Sequence, residues 1–135
     1  MHYLYPIFTA MAVMLALDIV WIYTVAHPAY AATVGHLLRS QITNNIVMVA
    51  VALSVYILMV SGLIVFVLPK VHGLSLIPTI FYSGFFGLIV YGVFAMTNYA
   101  ILEPWTIQLM LLDTLWGFVL YSLTTLIVKY FFPDI

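Results

Sequence analysis

The chain has 135 residues, of which 67% are hydrophobic and 5% are charged. A soluble domain carries about 25% charged residues, so this composition excludes soluble folds and leaves an integral membrane protein, with room for four spans of about 20–25 residues each. A net charge of −1 gives no means of holding nucleic acid, and the absence of cysteine removes disulfides, thiolate metal sites and thiol catalysis.

The predicted fold is all-α, a single integral membrane domain over residues 1–135. Barrel strands alternate over about 10 residues, and the apolar runs here are too long and too uniform for that. The first span covers residues 3–26 and ends at His27-Pro28. Ala29-Tyr30-Ala31 resembles a signal-peptide cleavage site, but no Lys or Arg precedes the apolar run and Asp18 interrupts it. The segment is therefore expected to stay as a transmembrane helix. In the connection from Pro28 to Asn44, Tyr30, Val34, Leu37 and Leu38 fall at helical spacing, with Arg39 near the end. That pattern predicts a short interfacial helix between the first and second spans. An irregular loop is the alternative, because Gly35 weakens a helix. The second, third and fourth spans cover residues 45–68, 76–99 and 105–130. Pro69-Lys70-Val71-His72-Gly73 and Glu103-Pro104 separate them, and such short connections make antiparallel neighbours. Lys70 and Lys129 fall on the side of the termini, Arg39 and Glu103 on the other. The positive-inside rule then puts both termini in the cytoplasm.

Two carboxylates interrupt this apolar text, each followed by tryptophan at the same spacing: Asp18-Ile19-Val20-Trp21 and Asp113-Thr114-Leu115-Trp116. An Asp near the centre of a span costs roughly 2.5–3.5 kcal/mol on insertion scales, so two of them point to a shared polar site. Counted from Ala26 and from Trp105, the two lie at equal depth, and the tryptophans are expected to bracket the carboxylates. Asn44 and Asn45 at the start of the second span and Asn98 at the end of the third are expected beside them. Small residues make one face of the third span, along Gly84, Gly87, Tyr91, Ala95 and Asn98, and allow a neighbouring helix to approach closely. His27, His36 and Glu103, all outside the spans, are a weaker candidate set of metal ligands. No cofactor motif is evident: there is no H-E-x-x-H and no glycine-rich phosphate loop.

In combination these residues resemble a family of bacterial four-span inner-membrane proteins of unknown function (domain of unknown function 2177). The matching elements are Leu17-Asp18 with Trp21, Gly35-His36-Leu37-Leu38, Tyr91, Thr97-Asn98, Trp105, and Asp113 with Trp116 and Gly117. The resemblance implies four spans, a bacterial inner membrane and a shared polar cluster, and it implies no activity. The family pattern often carries an acidic residue three positions before that Asn, where this chain has Ala95, so a multi-carboxylate metal site would lack one ligand.

Three function classes fit. In the first, the Asp pair binds or transports a cation, a proton or a small polar solute, as a homodimer if transport is required. In the second, the pair supplies acid and base to a lipid-like substrate. In the third, the carboxylates are interhelical glue in an accessory subunit, whose partners are membrane lipid and a larger complex.

Overall fold

The structure is a computed structural model and describes residues 4–135, so Tyr3, where the first span was expected to start, lies outside the described residues. Four helices are long and apolar enough to cross a membrane: α1 (Leu4–Leu37), α2 (Ile46–Val71), α3 (Leu76–Ile101) and α4 (Ile107–Phe131). No strand occurs among the described residues. The spans are where hydropathy places them, with one correction.

That correction concerns α1, which does not end at His27-Pro28. It continues as one helix of 34 residues, and no separate interfacial helix follows it. The proline is accommodated by a π turn over Ile22–Ala26, in which the backbone N–H of His27 bonds back to the carbonyl of Ile22. A proline inside a helix lacks its own N–H, and its ring meets the carbonyl four residues earlier; widening the preceding turn relieves both problems. The same device recurs in α2, where a π turn over Leu63–Val67 precedes Pro69 and the helix runs on to Val71. At about 1.5 Å per residue α1 is roughly 51 Å long, well beyond a hydrocarbon core of about 30 Å. The stretch from Pro28 to Leu37 continues the span alongside the start of α4, with Val34 packed against Trp105 and Leu109.

The α3–α4 pair forms the tightest contact in the bundle; α1 packs on α4, and α2 packs on α1. Small residues explain the tightness. A Cβ placed on Gly87 would fall on the carbonyl of Gly117, and one on Gly117 would fall on the carbonyl of Gly87. Across the same interface Ser122 donates to the carbonyl of Ile80 at 3.1 Å. The main core, built from Ala10, Met14, Met59, Val60, Leu63, Val67, Leu120, Tyr121 and Val128, fills the half of the bundle that carries the termini. A small second cluster of Val34, Trp105 and Leu109 closes the other end. Between the two clusters the packing opens.

The loop between α2 and α3 is held by one side chain. Lys129, in the last turn of α4, donates to the carbonyls of Val71 at 2.7 Å and Leu74 at 2.9 Å and to Thr79 Oγ1 at 3.1 Å. Lys129→Met keeps the stem and removes all three bonds. Hydrogen bonds to charged groups contribute about 1.5–3 kcal/mol each, and this group is partly solvated, so a total loss of roughly 2 kcal/mol is expected. Thermal unfolding in detergent should report a lowered midpoint.

Candidate ligand site

The opening between the two clusters is a cavity of about 620 Å³ lined mainly by α1, α4 and the chain that follows α1. Asp18, Trp21, His27, Asp113 and Trp116 line it, together with Tyr30, Tyr91 and Arg39. Both carboxylates are 6% exposed. Asp18 lies on the buried stripe of α1 with Ala10 and Met14, and Asp113 lies on the buried stripe of α4 with Leu109, Gly117 and Leu120. Helical periodicity therefore turns both acids inward, and it is the packing around them that leaves space.

The two aspartates are held differently. Asp18 Oδ1 accepts the indole N–H of Trp116 at 2.6 Å, while its Oδ2 accepts the Tyr56 hydroxyl at 2.9 Å and the Tyr91 hydroxyl at 3.4 Å. One carboxylate thus ties α1 to α4, α2 and α3 together. Asp113 accepts from a single donor among the described residues, the hydroxyl of Tyr30. Among the described residues every donor to either acid is neutral, and no side chain of opposite charge pairs with them.

Trp21 and Trp116 stack face to face, with ring centroids 4.5 Å apart and planes inclined by 2°. The stack joins α1 to α4 beside the carboxylates, and Ala26, from which the depth of Asp18 was counted, is not the end of its helix. Both acids face one cavity, but no direct hydrogen bond joins them.

The asparagines do not join the site. Asn45 is the N-cap of α2, its side-chain oxygen accepting from the backbone N–H of Val47 at 3.0 Å and of Met48 at 3.4 Å. Asn44 donates to Gln41, both of them exposed, and Asn98 near the end of α3 does not line the cavity. Polar residues at the end of a span are needed to satisfy free backbone groups, and that need accounts for Asn45. His27 lines the cavity, whereas His36 and Glu103 are exposed and do not. Among the described residues no three His, Asp or Glu side chains gather in a way that could hold a metal ion.

Three tyrosines and one arginine complete the site without having been expected there. Tyr30 looked like part of an interfacial helix; only the continuation of α1 through Pro28 carries it to a position from which it reaches back to Asp113. Tyr56 lies in an uninterrupted apolar run and has no sequence signal except its hydroxyl. Tyr91 was placed on the small-residue face, and its hydroxyl is what brings it to Asp18. Arg39, expected near a helix end, lies in the chain that folds over the mouth of the cavity. A buried tyrosine hydroxyl needs a partner, and in a bilayer the intramembrane carboxylates are the obvious acceptors.

No curated protein and no solved structure matches the chain. A family model does, over residues 3–130, a range that takes in all four of the apolar helices described above but for the last residue of α4. The chain belongs to the predicted membrane protein family DUF2177.

Proposed function

We propose that this multi-pass membrane protein binds a cation or a small amine-bearing polar solute in the cavity between α1 and α4, with Asp113 as its principal ligand. The observation that carries this reading is the difference between the two acids. Asp18 is built into the bundle by three donors, whereas Asp113, lining the same cavity, has one neutral donor among the described residues. A buried carboxyl either holds a proton or needs an opposite charge to offset its desolvation, and a cationic ligand would supply that charge to Asp113. The stacked tryptophans offer a cation an aromatic wall beside the carboxylates. With the termini in the cytoplasm of a bacterial inner membrane, the cavity would open to the outer face. Transport, as distinct from binding, would require a second copy of so small a bundle.

Charge displacement on a solid-supported membrane tests this. Proteoliposomes exposed to a jump in alkali cation, polyamine or simple amine concentration should give a transient current. Asp113→Asn should abolish it, while Asp134→Asn, at the exposed C-terminal end, should leave it intact. Glue alone predicts no current in any of the three proteins.

A further inference from the structure

The polar cavity has an apolar neighbour. Val55 and Met59 of α2 and Val90, Tyr91 and Phe94 of α3 line a crevice of about 260 Å³ on the outside of the bundle. Val55 and Phe94 are 48% and 50% exposed, so the crevice faces the hydrocarbon of the bilayer. It exists because α2 is anchored at one end only. From Ile46 to Leu58 no residue is buried, and the helix is fixed to the core by Met59, Val60, Leu63, Val67 and Leu68. Tyr91 belongs to both spaces. Its ring lines the crevice, it borders the polar cavity, and its hydroxyl donates to Asp18. Tyr56, on α2 between the crevice residues Val55 and Met59, donates to the same carboxylate.

The charges at the cavity are also arranged in a sequence. Two carboxylates lie deep and the guanidinium of Arg39 lies at the exposed rim, with no carboxylate paired to it among the described residues. A simple cation uses the acids and leaves the arginine idle. A headgroup that carries a primary ammonium next to a phosphate uses both, since ammonium donates to carboxylate and phosphate suits a guanidinium fork. Such a headgroup comes attached to an apolar chain, and an apolar channel adjoins the pocket.

Resting on the reading of the cavity as a cation or amine site, we propose that its ligand is a phosphoethanolamine-type lipid. The headgroup occupies the space between Asp113 and Arg39, and an acyl chain lies in the α2–α3 crevice beside Tyr91. Lipid is favoured over a second copy of the chain because the crevice shares Tyr91 with a polar pocket whose charges match one headgroup.

Native mass spectrometry of the full-length protein, released from detergent with an equimolar mixture of phosphatidylethanolamine, phosphatidylglycerol and phosphatidylcholine, tests this. Retained lipid should be enriched in phosphatidylethanolamine by roughly tenfold, the weight of one charge-assisted hydrogen bond. Asp113→Asn should remove the enrichment, and Arg39→Gln, at an exposed position where folding is not at risk, should lower retention of all three lipids alike, since each carries the phosphate. Val55→Trp, which fills the crevice, should lose the lipid but still be stabilised against heat by water-soluble phosphoethanolamine. Equal retention of the three lipids overturns the lipid assignment, and stabilisation by soluble amines would then leave the cavity reading standing. A dimer that dissociates on Val55→Trp assigns the crevice to a second copy and also overturns it. If no lipid is preferred and no amine stabilises the protein, both readings fall.

Discussion

Gly87→Ala should disrupt the α3–α4 pair, although it adds a single methyl group. That methyl would fall on a backbone carbonyl of the facing helix, and a carbonyl in a continuous helix cannot rotate aside as a side chain can. The helices would have to separate along the interface that buries Ser83, Gly84, Gly117 and Ser122. Overpacking usually costs about 1–3 kcal/mol, and a backbone-to-backbone clash belongs at or above the top of that range. Gly117→Ala should behave alike, because the approach is reciprocal. Gly35→Ala provides the contrast: nothing lies within 4 Å of a Cβ there, and the residue has ordinary helical dihedrals. Removing that glycine should be neutral or should stabilise by roughly 0.4–1 kcal/mol through the unfolded chain. Thermal unfolding of the three variants in one detergent checks the order; equal midpoints for Gly87→Ala and Gly35→Ala would mean that α3 and α4 are not in backbone contact.

Asp18→Leu should destabilise the fold far more than Asp113→Leu. The first change leaves the indole N–H of Trp116 and the hydroxyls of Tyr56 and Tyr91 without their acceptor, on three different helices. An orphaned buried donor costs about 1–3 kcal/mol; with the longest of the three bonds discounted, the expected loss is roughly 3 kcal/mol, partly offset by no longer burying a carboxylate. Asp113→Leu orphans one hydroxyl, that of Tyr30, and should cost roughly 1 kcal/mol. Trp116→Phe separates two contributions in the first case, because it keeps an aromatic ring against Trp21 and removes only the donor. Its loss should be smaller than that of Asp18→Leu and should not add to it, since both act on one bond. Unfolding midpoints of the single and double variants measure this directly. If Asp113→Leu proved the more damaging change, the division between a structural and a ligand-facing acid would be reversed.

The parts of this molecule that were legible in the sequence are those for which a bilayer leaves no alternative. Long apolar runs must be helices, and an intramembrane acid must face inward, so the four spans and the inward orientation of Asp18 and Asp113 follow from composition and position. The ends of α1 and α2 were harder. Pro28 and Pro69 read as stops, but a proline stops a helix only if the preceding turn keeps its usual pitch, and here both preceding turns widen to i→i+5. Misplacing the end of α1 carried through to the site, because it left Tyr30 and Arg39 outside. The asparagines failed for a different reason. Asn45 and Asn98 sit near helix ends, where amide side chains have backbone groups to satisfy, and polarity alone does not separate a cap from a ligand. Tyr56 illustrates the opposite failure. A tyrosine in an apolar run reads as bulk, and only the tertiary structure shows that its hydroxyl meets a carboxylate.

Site-resolved carbodiimide labelling separates a ligand-facing carboxylate from a structural one. N,N′-dicyclohexylcarbodiimide partitions into bilayers and modifies carboxyl groups that it can reach there, and mass spectrometry of the digested protein reports which ones. Both acids line the cavity, but Asp113 has one hydroxyl for a partner among the described residues, whereas Asp18 is held by an indole and two phenols. Labelling at Asp113 should lie well above that at Asp18, and amines or cations added in millimolar amounts should protect Asp113. Labelling that falls equally on both acids, or that no amine or cation slows, would contradict this expectation and return both carboxylates to the role of interhelical glue.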